Sequence, residues 1–191
     1  MTEHSTQALK ERIGQPSLFC GREREMKLLL NWAEKIPKEI SKSRALVGRR
    51  KSGKTAIMQR LFNILWSRNS NVVPFYFEVL DPNQLLLDFS DQYIRTFLTQ
   101  YLSFLTRTPL DNDNESWSWN KVEAVNRDVA NNNITEKMNT FLEYFEKGQH
   151  HQATTTAFGT PAWFSSRDKV FFVVMIDEIQ YMTKYIYTDK Q

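Results

Sequence analysis

The sequence of 191 residues has few of the features that would place it outside a reducing compartment or inside a membrane. Its one cysteine, Cys20, cannot form an internal disulfide, and we expect it to be a small buried side chain. The longest unbroken apolar run, residues 170–176, is far too short to span a bilayer. The N-terminus lacks the basic and then apolar pattern of a signal peptide. We therefore expect a cytoplasmic protein without a membrane segment.

Glycine and proline are also scarce, with 6 of each, and 41% of the residues are hydrophobic, which is typical of a globular domain. The net charge of +3 is unevenly distributed. Residues 1–75 contain 15 Lys and Arg against 6 Asp and Glu, whereas residues 76–191 contain 10 against 16. A basic half can mark contact with nucleic acid, which stays open as an alternative. However, four of these basic residues lie in one short loop.

That loop, Gly48-Arg49-Arg50-Lys51-Ser52-Gly53-Lys54-Thr55, fits the pattern G-x-x-x-x-G-K-[ST] at every fixed position. A match counts only if a strand enters the loop and a helix leaves it. Residues 44–47 form a short apolar run that predicts a buried strand, and residues 55–66 have apolar side chains on one helical face. The context therefore predicts a phosphate loop (Walker A) rather than an accidental glycine loop before a helix.

Each fixed position of this loop has a chemical role in binding a polyphosphate. Gly48 and Gly53 let the backbone turn so that successive N–H groups surround the phosphates, and the helix adds its positive N-terminal dipole. Lys54 is expected to reach the β- and γ-phosphates, and the Thr55 hydroxyl is expected to ligate Mg²⁺. The predicted ligands are ATP and Mg²⁺, and the rest of the loop belongs to the same predicted binding set: Arg49, Arg50, Lys51 and Ser52.

A second motif, Phe-x-Gly-Arg-Glu-x-Glu at residues 19–25, lies about 27 residues before the loop. It resembles the N-terminal box of the archaeal-type ATPases, which belong to the broader AAA+ and STAND group, and the Arg-Arg pair of the loop is similar to that family too. The resemblance implies that Phe19, Gly21 and Arg22 lie near the adenine base. The alternative for Phe19 is that it packs the following helix on the sheet. Cys20 departs from the family, which more often has a small aliphatic residue there.

A third motif is the apolar run that ends in Asp177-Glu178. The run predicts a strand buried on both faces, and acids at its carboxyl end lie where α/β sheets bind ligands. It resembles a Walker B motif, and Asp-Glu-Ile-Gln is similar to the same family. The resemblance implies that Asp177 ligates Mg²⁺ and that Glu178 polarises the attacking water, with Lys54 as the other catalytic residue. The alternative is a buried strand that ends in solvated acids.

The remaining patterns predict the other elements. A helix over 22–36 ends at Pro37, and a strand over 72–79 contains Pro74, which favours an edge strand or one that begins after the proline. A turn at 81–83 precedes a helix over 84–105. The polar stretch that follows is expected to leave Trp117 and Trp119 exposed or half-buried. A further helix is capped by Asn133 and ends at Gly148. His150-His151 is expected in a solvated loop rather than at a metal.

The resemblance implies an α/β fold, a three-layer α/β/α P-loop NTPase of the ASCE type with a parallel sheet in the order five-one-four-three-two. In that order the phosphate-loop strand lies between strands four and five. The sequence stops 13 residues beyond Glu178, before either strand and before an arginine finger. We therefore expect a loose segment 1–17 and a partial ATPase domain 18–191 with a helical insertion at about 83–148, from a longer parent or a truncated frame.

The function that these motifs favour is ATP binding with Mg²⁺-dependent hydrolysis by an AAA+-like module. Turnover by this segment itself is expected to be weak or absent, because an arginine finger commonly supplies orders of magnitude in rate. The alternatives are a STAND-type signalling switch that responds to ATP occupancy and an inactive remnant. A nucleoside or small-molecule kinase would need an arginine-rich lid after the Walker B strand, and none follows.

Overall fold

The computed structural model describes residues 7–14, 16–80, 84–110, 116–182 and 186–187. Within these ranges the helices are α1 (Glu23–Ala33), α2 (Lys54–Arg68), α3 (Leu86–Thr106), α4 (Trp119–Val129), α5 (Asn132–Glu146), α6 (His150–Phe158) and α7 (Thr160–Asp168). The strands are β1 (Val72–Glu78), β2 (Gln84–Leu85), β3 (Phe171–Asp177) and β4 (Ile186–Tyr187). The chain is thus an α/β protein that is mostly helical. The predicted turn at 81–83 lies outside the described residues.

The strands form two small parallel pairs. β1 pairs with β3 in a register that runs from Val72 opposite Phe171 to Glu78 opposite Asp177, and β2 pairs with β4 over two residues. Because β1 and β3 are parallel, their carboxyl ends meet at the same edge. The predicted strands at 72–79 and at the acidic motif are therefore confirmed, and they bring Glu78 next to Asp177.

β1 is an edge strand, as its proline predicts. The hydrogen bonds to β3 use odd-numbered positions, as the flanking bonds of Asn71 O with Phe171 N and of Val79 N with Asp177 O show. Pro74 and Tyr76 therefore have their backbone groups on the opposite side, where the missing N–H of proline costs nothing. Gln100 of α3 binds both Tyr76 groups, since its Oε1 accepts from the N–H at 2.8 Å and its Nε2 donates to the carbonyl at 2.7 Å. The side chain of Gln100 therefore takes the place of a neighbouring strand at this position of the edge.

The alternation of β1 separates an aromatic face from a polar one. Phe75 and Phe77 contact the aromatic side chains of α3, with Phe75 ring centroids 5.1 Å from those of both Tyr93 and Phe97. Tyr76 contacts Asp177 on the side of α2 instead. The aromatic side chains of α3 (Phe89, Tyr93, Phe97 and Tyr101) are thus part of the core and cover one face of the strand pair, while α2 lies at the other.

The predicted strand at 44–47 is wrong. Residues 40–49 have no regular secondary structure, and Val47 is 94% exposed. A strand needs a neighbour for its backbone N–H and C=O groups, and among the described residues none pairs with this segment. β1 pairs with β3 directly, and the apolar run that enters the loop has no strand beside it.

Part of the predicted loose segment 1–17 is packed. Residues 7–14, here called the N-terminal strap, cross α2, with Ala8 and Leu9 each 1% exposed. Asn63 of α2 accepts from the N–H of Leu9 and donates to its carbonyl, both at 2.8 Å. Arg60 of α2 lies 3.0 Å from Glu11, which is also buried. The polar side chains of α2 therefore hold residues 7–14 in place, although the composition of these residues alone suggests that they are solvated.

We expect Asn63→Ala to lower the free energy of unfolding by about 2 kcal/mol, because it leaves two buried backbone groups of Leu9 without a partner. Amide exchange in residues 7–14 should become faster at the same time. Chemical denaturation and hydrogen exchange measure the two effects. The control is Asn139→Ala on the exposed side of α5, which should change stability by less than about 0.5 kcal/mol. Equal effects of the two substitutions would contradict this role of Asn63.

The helical region between the strands is larger than the pattern predicts. α4, α6 and α7 were not predicted, because their apolar faces are short and interrupted by polar residues. α5 is confirmed, but its cap is Asn131 rather than Asn133: the Asn131 side chain accepts from the N–H groups of Asn133 and Ile134. The asparagine run offers three similar caps, and the tertiary contacts select the first.

Two exposure predictions and one loop prediction are also corrected. Cys20 is exposed, whereas Trp117 is only 6% exposed and contacts α3 and α4. His150 and His151 are exposed, as expected, but they begin α6 rather than lie in a loop. In the described part of the chain, no helix has the length and apolar character that a membrane crossing needs.

Candidate functional site

The loop at 48–53 leads directly into α2, as the Walker A pattern requires. Gly53 caps the helix with φ at +84°, a conformation that strains any residue with a side chain. Gly48 faces Ser52, and a Cβ at Gly48 would lie 2.8 Å from Ser52 Oγ. The backbone conformation therefore requires glycine at position 53, whereas the contact at Gly48 is with the end of a serine side chain that can rotate away.

The start of α2 combines a helix N-terminus with an ammonium group. No side chain caps the first turn of α2, so its first N–H groups can bind an anion. The Nζ of Lys54 donates to the carbonyls of Gly48 and Arg49, each at 3.2 Å. These bonds hold the ammonium over the loop, beside the free N–H groups. The arrangement has the charge and the donors that a phosphate group needs.

The two predicted metal ligands, Thr55 and Asp177, are in direct contact although 122 positions separate them in the chain. The hydroxyl of Thr55 donates to Asp177 Oδ2 at 2.5 Å. The N–H of Glu178 donates to Asp177 Oδ1 at 2.9 Å, so both carboxylate oxygens are held. Asp177 is only 2% exposed. The structure thus joins the first turn of α2 to the end of β3 through one buried carboxylate.

Tyr76 fixes this carboxylate from β1. Its hydroxyl donates to Asp177 Oδ2 at 3.2 Å. Burial, together with the nearby charges of Glu78 and Asp177, raises the pKa of Tyr76 far above its ordinary value. The phenol therefore stays protonated at physiological pH and remains a hydrogen-bond donor, which keeps the Asp177 carboxylate in place.

Glu178, the predicted catalytic glutamate, is held in a left-handed backbone conformation with φ at +55°. Such a conformation is uncommon for residues other than glycine and stores strain. It turns the chain sharply after β3, and Gln180 Nε2 donates to Glu178 Oε2. The side chain lines the cavity at the loop. The turn after β3 therefore places Glu178 in the wall of the cavity that Lys54 and Thr55 also line.

A cavity of about 600 Å³ lies at the loop, within the range of small-molecule sites. Its wall includes four basic residues and two acids: Arg12, Arg50, Lys51, Lys54, Glu78 and Glu178. The other lining residues are Ile13, Ser52, Gly53, Thr55, Ala56, Val79, Leu80 and Tyr181. Three regions of the chain thus converge there, namely the strap, the loop with α2, and the carboxyl ends of β1 and β3. The excess of basic residues suits an anion.

The donor set at Thr55 and Asp177 fits Mg²⁺ bound together with phosphate. Mg²⁺ prefers one or two carboxylate or hydroxyl ligands plus phosphate oxygens and water, rather than a cage of protein ligands. Neighbouring ligands in its octahedron lie about 3 Å apart, close to the 2.5 Å between the two oxygens here. Among the described residues no group of three or more His, Cys, Asp or Glu could hold a metal by itself. The site therefore fits a metal that arrives with its phosphates.

The three residues predicted near the base are not among the residues that line the loop cavity. Phe19 lines a separate shallow cavity beside α1, with the Arg60 guanidinium 5.4 Å from its ring centroid. Gly21 is exposed. Arg22 Nη2 donates to the carbonyl of Ser52 at 2.8 Å and so supports the loop from outside the cavity. Contact of Phe19, Gly21 and Arg22 with adenine stays a prediction, whereas Arg22 has a visible part in positioning the loop.

The sequence reasoning missed Arg12, Tyr76 and Glu78. Glu78 ends a predicted parallel strand next to the one that ends at Asp177, and the meeting of carboxyl ends could have identified it. Tyr76 lies two positions before Glu78, on the same face of β1. Arg12 has no signal of its own, since tertiary contacts with α2 and with the end of β1 place it at the cavity.

Comparisons with known proteins found no relative of this chain. It matches no protein-family model, no curated protein and no solved structure. The geometry of the loop and of the acidic pair is therefore the ground for a functional proposal.

Proposed function

We propose that this chain binds ATP with Mg²⁺ in the loop cavity and contributes to its hydrolysis, as an AAA+-like module. The observation that supports this most strongly is the hydrogen bond between Thr55 and Asp177. Two motifs far apart in sequence, each of which suggests a nucleotide site, meet at a single buried carboxylate. A chance glycine loop and an unrelated strand with acids at its end have no reason to meet in this way.

The residues have distinct parts in the proposed reaction. The N–H groups of the loop and Lys54 bind the β- and γ-phosphates, while Thr55 and Asp177 would hold Mg²⁺. Mg²⁺, when bound, neutralises the charge of the phosphate oxygens. Glu178 accepts a proton from a water whose oxygen bonds to the γ-phosphorus, as the bond from that phosphorus to the bridging oxygen breaks and ADP leaves.

The finer fold assignment, a three-layer P-loop NTPase of the ASCE type, is part of the same proposal. The parallel pair of β1 and β3 supports it, because strands two and three are neighbours in the order five-one-four-three-two. Residues 44–47, which would be strand one in that order, do not form a strand. The positions of α2 and α3 on opposite faces of this pair support it as well.

We expect Thr55→Val to remove most of the effect of Mg²⁺ on ATP affinity. The substitution keeps the shape of the side chain but deletes the hydroxyl, so the affinity in Mg²⁺ should fall about tenfold, toward that measured in EDTA. Calorimetric titration with ATP, with and without Mg²⁺, measures this directly.

Thr55→Ser is the matched control, since it retains the hydroxyl and should bind Mg²⁺-ATP as the wild type does. If Thr55→Val bound Mg²⁺-ATP as tightly as the wild type, Thr55 would not be a metal ligand and the proposed site would lose its main support.

A further inference from the structure

We propose that Arg12 of the N-terminal strap is a positioning residue that distinguishes a nucleoside triphosphate from a diphosphate. Its guanidinium binds Glu78 in the free protein and the terminal phosphate when a triphosphate is bound. This inference rests on the proposed ATP site. It adds a cation from outside the phosphate loop and assigns a use to the ion pair between the strap and the end of β1.

The backbone of Arg12 is held beside the start of α2. Its N–H donates to Gln59 Oε1 at 2.8 Å, and Gln59 is 3% exposed. Gln59 follows Thr55 by four positions, which is about one helical turn, or 6 Å along the axis. This bond does not involve the arginine side chain, so the strap keeps Arg12 near the site whatever the guanidinium binds.

The guanidinium lies at the end of the cavity where the acids are. Arg12 Nη2 is 2.5 Å from Glu78 Oε1. Glu78 stands opposite Asp177 in the register of β1 and β3, and neighbouring strands are about 4.8 Å apart. Arg12 therefore lies beside the residue that neighbours the proposed metal ligand in the sheet, and it lines the same cavity as Lys54 and Thr55. Lys54 approaches from the loop instead.

The ion pair is asymmetric in a way that allows exchange. The Arg12 side chain is 59% exposed, whereas that of Glu78 is 18% exposed. The exposed guanidinium can leave the pair without being taken out of water, whereas the carboxylate of Glu78 then loses its cation. A guanidinium binds phosphate oxygens with two parallel N–H bonds, and a terminal phosphate carries more charge than one carboxylate. The longer, more exposed partner can thus turn from Glu78 to the phosphate.

The test measures ATP and ADP affinities by calorimetry for the wild type, Arg12→Gln, Glu78→Gln and the double variant, all in Mg²⁺. Arg12→Gln should lower the affinity for ATP about tenfold and change the affinity for ADP less than about twofold, since only ATP has the phosphate that Arg12 is proposed to contact. Glu78→Gln should strengthen ATP binding in the wild-type background and have no such effect when Arg12 is already replaced.

Two results would overturn this inference alone. In one, Arg12→Gln leaves the ratio of ATP to ADP affinity unchanged. In the other, Glu78→Gln gives the same gain with and without Arg12, which is a general charge effect rather than release of Arg12. If the wild type binds neither nucleotide at millimolar concentration, the proposed function fails, and the inference fails with it.

Two controls accompany the test. Because the Arg12 side chain is exposed and its backbone N–H bond is retained, Arg12→Gln should have the melting temperature of the wild type. Arg12→Lys retains the positive charge and should keep part of the preference for ATP.

Discussion

Lys54→Ala is expected to weaken Mg²⁺-ATP binding by about 100-fold or more, because it removes the charge that the loop holds beside the start of α2. In the structure the ammonium donates to the carbonyl oxygens of Gly48 and Arg49, which are weakly basic acceptors. A phosphate oxygen is a far stronger acceptor, so these bonds should be exchanged for contacts with the ligand. Equilibrium titration with ATP in Mg²⁺ measures the loss.

Lys35→Ala is the matched control for this change in charge. Lys35 is an exposed lysine just after α1 and lines neither the loop cavity nor the cavity beside Phe19. It should bind ATP with the affinity of the wild type. Normal affinity in Lys54→Ala would refute the assignment of residues 48–55 as a phosphate loop.

Glu178→Gln is expected to retain ATP but to lower its turnover by about 100-fold or more, the usual contribution of a general base. The amide preserves the size of the side chain and can still accept a bond from Gln180, but it cannot take a proton from water. Asp177, which is held by Thr55, Tyr76 and the Glu178 N–H, keeps its place. Phosphate release and ATP affinity, measured on the same preparation, separate the two effects.

Glu146→Gln, an exposed change at the end of α5, controls for loss of one negative charge and should leave turnover unaltered. Wild-type turnover in Glu178→Gln would remove Glu178 from the role of base. If the wild type binds ATP and has no turnover of its own, occupancy rather than hydrolysis is the output, which favours the signalling-switch alternative.

The parts of the fold that the sequence predicts are those with strong local signals. β3 follows from an apolar run without interruption, α2 from its periodicity, and the edge position of β1 from Pro74. The contact of Thr55 with Asp177 was implied by the two motifs together, since each marks a place on the same phosphate site. In these cases a short window of residues contains most of the physical cause.

The parts that it does not predict depend on partners distant in the chain. The run at 44–47 has the composition of a strand, but a strand also needs a neighbour, which composition does not supply. The strap at 7–14 is polar, and it is ordered because Asn63, Gln59 and Arg60 of α2 bind it. Arg12 reaches the site through these tertiary contacts and has no local pattern of its own, whereas Glu78 is placed there by the pairing of β1 with β3.

The most direct test of the proposed function is a titration of the wild-type chain with ATP, in Mg²⁺ and in EDTA. If the loop, Lys54, Thr55 and Asp177 share one triphosphate and its metal ion, binding should saturate at one site per chain and be about tenfold weaker without the metal. Absence of saturable binding at millimolar ATP, or equal affinity with and without Mg²⁺, would contradict it.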